Sequence, residues 1–135
     1  MANYQEICRS NYFRVKDMEA FVKFIQDFEG QGMEIIKSDD DEELVGFLAP
    51  GGLPSSRYHE ESETYEDIDF TGELAEYLAD GEVAIIMGVG WEELRYVNGY
   101  AIAINNKGEI RHTHLDRIYD LAKEIAENEA TKAEY

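Results

Sequence analysis

The stretch from Val83 to His114, VAIIMGVGWEELRYVNGYAIAINNKGEIRHTH, constrains the fold more than any other part of the chain, because it holds the longest run of apolar, β-branched and aromatic residues. Val83 to Val89 is short, apolar and bounded by turn residues, which predicts a strand covered on both faces. From Tyr96 the residues alternate, with Tyr96, Asn98, Tyr100, Ile102 and Ile104 on one side and Val97, Gly99, Ala101 and Ala103 on the other. The second side is small, as a helix lying close on a sheet requires. Asn105-Asn106-Lys107-Gly108 tolerates positive φ and predicts a hairpin into Glu109 to Thr113. Gly88-x-Gly90 lacks the third glycine and the following helix of a dinucleotide fingerprint, and is read as a bulge.

Before this stretch, Phe13 and Val15 alternate with Arg14 and Lys16, which predicts a half-exposed strand over residues 10–16. Asp17 then fits a helix N-cap, and Met18, Phe21, Val22, Ile25 and Phe28 form an apolar stripe at helical spacing, with Gly30 as the left-handed end. Short strands are expected at Met33 to Lys37 and at Leu44 to Leu48. Pro50 to Ser56 breaks regular structure, and RYHEESETYEDID (Arg57 to Asp69) fits either a loop or an extended edge strand. A short helix over Gly72 to Ala79, capped by Thr71 and stopped by Gly81, precedes the central stretch. After it, Thr113-x-x-Asp116 resembles a capping box, and Ile118, Leu121, Ala122 and Ile125 predict a C-terminal helix that docks on the core. The expectation is a single α+β domain over residues 1–128, built on a mainly antiparallel sheet of about five or six strands. Two longer helices lie on one face beside one short helix, and residues 129–135 fray.

The chain has 135 residues, 44% of them hydrophobic, with nine tyrosines, six phenylalanines and one tryptophan, enough for a core without disulfide or metal support. Cys8 is the single cysteine, so no intramolecular disulfide is available, and a reducing compartment is expected. No run of about 18 apolar residues is present, and MANYQEICRSN lacks the basic and apolar regions of a secretory signal. A soluble cytoplasmic protein is therefore expected.

Charge is the second strong constraint. The net charge is −18, and residues 38–82 hold fifteen acids against a single base, Arg57. General solubility or adaptation to salt would spread acids over every exposed face; concentration argues for a site or an acidic loop.

Catalytic motifs are weak by comparison. His112-x-His114 places two imidazoles on one strand face, with Asp116 as a further carboxylate, and a metal-dependent enzyme using them is the alternative function. No cysteine or histidine motif completes a four-ligand zinc site, and a solvated strand end is the plainer reading. The run Asp39-Asp40-Asp41-Glu42-Glu43 lacks the alternating ligands and central glycine of an EF-hand loop. Pairs such as Glu60/Glu61 and Asp67/Asp69 are unavoidable where acids are this dense. No catalytic residue, metal or cofactor is expected.

Tyr58 and Tyr65 lie inside the acidic run, together with Glu60, Glu61, Glu63, Glu66, Asp67 and Asp69. Nucleic-acid binding needs basic residues beside its aromatics, so direct contact with DNA or RNA is disfavoured, as is a membrane. Tyrosine among acids suits a protein interface, and an acidic surface suits a basic partner. Carboxylates two apart on an extended segment stand about 6.6 Å apart, near twice the ~3.4 Å phosphate rise of one DNA strand, as a mimic of the nucleic-acid backbone would require. RSNYFRVKD (Arg9 to Asp17) and ELRYVNGYAIAIN (Glu93 to Asn105) are similar to stretches of phage- and plasmid-borne proteins, and the small acidic α+β chain resembles anti-CRISPR and anti-restriction inhibitors. The resemblance implies a non-enzymatic protein that occupies the nucleic-acid groove of a CRISPR effector or restriction nuclease in the host-cell cytoplasm. A third reading is an immunity or regulatory protein that binds a basic partner without mimicking DNA. The partner-binding residues expected on the first reading are the Asp39–Glu43 run, Tyr58, Tyr65 and the six acids named with them.

Overall fold

The computed structural model describes residues 4–133. Eight strands and three helices follow in the order β1 (Tyr4–Ser10), α1 (Met18–Gln26), β2 (Glu34–Lys37), β3 (Val45–Ala49), β4 (Ser56–His59), β5 (Thr64–Asp67), α2 (Phe70–Tyr77), β6 (Val83–Glu92), β7 (Tyr96–Asn105), β8 (Ile110–His114) and α3 (Arg117–Ala122). Six strands form one antiparallel sheet in the order β2-β3-β1-β6-β7-β8, and β4 and β5 form a separate hairpin. The expected α+β class and mainly antiparallel sheet are present, and two helices share one face, but they are α1 and α2, the latter expected as the short helix, while the C-terminal helix expected beside α1 is the six-residue α3. No helix among the described residues is long and apolar enough to cross a membrane.

Asp17 caps α1 as expected, its carboxylate accepting from the Ala20 amide at 3.2 Å. The α1 stripe continues past the helix through Phe28, and the left-handed turn falls at Gly32 (φ 92°) rather than Gly30. α1 and α2 lie on the same side of the sheet. Between them and the sheet, Phe13, Phe21, Phe24, Phe28, Phe47 and Phe70 are all buried, and their rings meet in a chain of edge-on and stacked contacts that includes Tyr77. Val45, Leu74, Leu78, Ala84, Ile86 and Ile104 complete this core.

Several expectations change. The first strand is Tyr4–Ser10, not residues 10–16; Phe13 and Val15 make only single bridges to Val45 and Leu78. Their alternation reflects an extended connection that runs from the start of β3 to the C-terminal end of α2, with Phe13 fully buried. β6 is covered on one face alone, since Ala84 and Ile86 are buried while Val83, Ile85, Met87 and Val89 are exposed. On the small face of β7 the Leu115 side chain, just ahead of α3, lies over Gly99, while Tyr100, Ile102 and Ile104 are the residues on the core side. Gly88 and Gly90 make no bulge, because β6 pairs with β7 without interruption. A Cβ on Gly88 would strike the Tyr100 ring and one on Gly90 the Tyr4 ring, so both glycines admit aromatics lying flat across the sheet.

α3 differs most. It spans six residues, its N-cap Asp116 makes no side-chain bond, and Ile118, Leu121 and Ile125 are exposed instead of docked in the core. Six residues fall below the length at which a helix holds itself, so the apolar period alone fixes neither extent nor docking. Of the tail expected to fray, residues 134 and 135 lie outside the described residues.

Phe21→Ala and Ile86→Ala should each cost about 2–5 kcal/mol in denaturant melts, as buried large-to-small changes do. Leu121→Ala should stay within about 0.5 kcal/mol, as exposed changes do. Equal losses at all three positions would place α3 in the core after all.

Candidate functional site

The acidic third of the chain folds into two clusters at opposite ends of α2. At one end the β2–β3 turn carries Asp39 to Glu43. Arg14 reaches it with Nη2 2.8 Å from Asp41 Oδ2 and Nε 3.7 Å from Glu43 Oε2. Asp41 Oδ1 also accepts from the Glu43 amide at 2.9 Å, so Asp41 shapes the turn, while Asp39, Asp40 and Glu42 point to solvent. At the other end stands the β4–β5 hairpin, held against the C-terminal end of α1 and the start of α2. The eight residues of α2 span about 12 Å at 1.5 Å per residue, so the two clusters stand on either side of that helix, each held by its own arginine.

Arg57 fixes the hairpin to the body. Its side chain is 19% exposed, and Nη2 donates to Glu73 Oε1 at 2.7 Å. Nε lies 3.3 Å from Asp27 Oδ2 but out of line for a hydrogen bond, so that contact is coulombic. Nη1 stands 3.6 Å from Glu66, the residue directly across the hairpin, and the guanidinium rests over the Phe28 ring at 5.3 Å. The bond to Glu73 raises the Arg57 pKa, against burial, which lowers it. One cation thus ties three acids of three elements together. Gln31 Nε2, donating to the Ser56 carbonyl at 2.8 Å, and the Ile68 amide, donating to Ser55, hold the base of the hairpin.

With Arg57 and Glu66 turned inward, strand alternation places Tyr58 and Tyr65 on the outer face. They are direct cross-strand partners with ring centroids 5.0 Å apart, and they are 42% and 69% exposed. Asp67 shares this face. Glu60, Glu61 and Glu63 occupy the turn, Glu63 with φ 53°, and together with Asp67 make no ion pair among the described residues. Because these three acids sit in a turn, the regular 6.6 Å ladder expected of an extended segment is not formed. Asp69 stands at the start of α2 and accepts from the Thr71 hydroxyl at 3.0 Å, so Thr71 is not the cap. The hairpin was legible only as alternation within an acidic run; the pairing of Tyr58 with Tyr65 was not.

His112 and His114 do share one face of β8, with ring centroids 5.3 Å apart. Among the described residues no group of three or more His, Cys, Asp and Glu is arranged to hold a metal ion, and Asp116 does not complete one. On the core side of β1, Cys8 is buried beneath Tyr100, near Glu6. Burial pushes the thiol up to about 11, and burial together with Cys8 raises the Tyr100 hydroxyl. A protonated, enclosed thiol is a poor nucleophile. No family model, curated protein or solved structure matches the chain.

Replacing Arg57 with Ala should cost about 1.5–3 kcal/mol, the range for a hydrogen bond to a charged partner, and amide exchange should rise in residues 56–67 ahead of the sheet. Unchanged protection of the hairpin would remove Arg57 as its anchor. The native state keeps a proton on Cys8 that an unfolded chain, with the ordinary thiol value of 9.0, releases first. Stability is therefore complete below about pH 9 and falls as pH rises toward about 11. Urea midpoints at about pH 8 and about pH 10.5 should show that fall, reduced in Cys8→Ala; an identical fall in the variant would assign it elsewhere.

Proposed function

We propose that this protein is a non-enzymatic inhibitor that binds a basic, nucleic-acid-binding surface of a partner protein, with the β4–β5 hairpin as its contact element. The observation that carries the reading is the Tyr58–Tyr65 pair, exposed on the outer face of a braced hairpin that also bears Asp67 and, in its turn, Glu60, Glu61 and Glu63, none of them in an ion pair among the described residues. Tyrosine is enriched in the few residues that dominate interface energies, and a rim of one charge speeds encounter with a surface of the other. A two-residue pair of rings held by the backbone loses little entropy on binding. The surrounding acids keep nucleic acid itself away.

The partner on this reading is a CRISPR effector or restriction nuclease, whose groove is built for phosphates. The irregular placement of Glu60, Glu61 and Glu63 favours a second version, an immunity or regulatory protein that matches a basic partner without imitating a DNA strand. Competition by nucleic acid separates the two: a groove occupant is displaced by DNA, and a binder elsewhere is not.

The test is inhibition of DNA cleavage across a panel of such nucleases, followed by hairpin variants on whichever responds. Tyr58→Ala with Tyr65→Ala should weaken inhibition by at least tenfold, and Glu60→Lys with Glu61→Lys by a similar factor that shrinks with salt. Glu124→Lys with Glu127→Lys, on the C-terminal segment, should change it little. Equal loss from both charge-reversal pairs would mean that net charge alone drives association, and full activity in the tyrosine variant would remove the hairpin from the contact.

A further inference from the structure

We infer that the open face of the six-stranded sheet is a self-association surface, on which a second copy of this chain packs sheet against sheet. α1 and α2 cover one face only. On the other, Ile7, Val83, Ile85, Met87, Val89 and Val97 are between 37% and 62% exposed. The register puts them side by side across β1, β6 and β7. Contiguous apolar surface of this extent marks an interaction site.

Three features specify the occupant. The first is charge. By strand alternation and register, the charged residues on this face are Arg9, Arg111 and Glu34, in a chain of net charge −18. The hairpin and its acids are tied to α1 and α2, on the opposite side of the sheet. Two copies meeting through the open face therefore turn their acidic layers outward, with both sheets between them. The second is shape. Met87, 62% exposed, forms a ridge between a hollow of about 420 Å³ bordered by Ile7, Leu48 and Pro50 and one of about 350 Å³ bordered by Ala101 and Leu115. A face with both a projecting flexible side chain and hollows to receive it is self-complementary, as a two-fold interface must be. The third is area. At ~3.3 Å per residue and ~4.8 Å per strand the six strands cover about 650 Å² of plane, and side-chain relief brings that close to the roughly 800 Å² that each partner contributes to a stable interface.

The experiment is sedimentation equilibrium of the full chain. The expected result is twice the 15.5 kDa chain mass at micromolar concentration, with an affinity that holds or tightens as salt rises, because the contact is apolar and salt screens the outer acids. Met87→Lys should weaken association at least tenfold while the circular-dichroism spectrum stays that of the folded chain, since the side chain is exposed, and Val97→Lys provides a second break at a separate strand. Tyr65→Ala on the hairpin should leave the mass unchanged, which keeps this result independent of inhibitor activity. A chain that stays at 15.5 kDa at all concentrations, a mass that grows without limit, or a dimer untouched by both lysine variants would overturn the assignment.

Discussion

All six phenylalanines of the chain are buried on one side of one sheet, and the remaining structure depends on that asymmetry. Phe21 and Phe24 from α1, Phe28 just beyond it, Phe70 from α2, Phe47 from β3 and Phe13 from the extended connection share ring contacts, so the two helices are fixed relative to the sheet by aromatic packing more than by their own length. Helices of nine and eight residues are too short to persist alone. Ser10 closes the seam from below: its hydroxyl accepts from the Phe47 amide at 2.9 Å and donates to the Asn11 carbonyl at 2.7 Å. A Cβ on Gly46 would collide with both of those oxygens, which explains a glycine in the middle of β3.

From this follows the division of the surface. Aromatic packing absorbs α1 and α2 on one side, leaving neither to cover the other, so Val83, Ile85, Met87, Val89 and Val97 stay exposed although they are apolar. The acids collect where the chain turns over the helix layer. Arg57 is what makes that collection compatible with a fixed structure, because it offsets Asp27, Glu66 and Glu73 at once and frees the hairpin face that bears Tyr58 and Tyr65. Stability and display thus rest on the same guanidinium.

The sequence carried the sheet well where its period was clean. Tyr96 to Asn105 alternates, and the Asn105 side chain accepts from the amides of Lys107 and Glu109, so the β7–β8 turn is encoded locally. Asp17 and the α1 stripe were readable for the same reason. Val83 to Val89 misled because an apolar run signals coverage of both faces, whereas here the second face is apolar and open. Ile118, Leu121 and Ile125 misled in the same way: a helical stripe announces a surface to be buried without saying whether this chain buries it. The acidic third was legible as charge but not as geometry. Its division into two clusters depends on Arg14 and Arg57, whose partners lie 27 and up to 30 positions away, and no local pattern encodes such pairings.

The most direct measurement of the central claim, that the braced hairpin rather than net charge forms the contact for a basic partner, is an amide chemical-shift map during titration with an oligolysine peptide. The expected result is saturable shifts concentrated at Tyr58, Tyr65 and the intervening turn, weaker ones at Asp39 to Glu43, and silence across the open sheet face. Shifts spread in proportion to local acid content, with no excess at the two tyrosines, would contradict it.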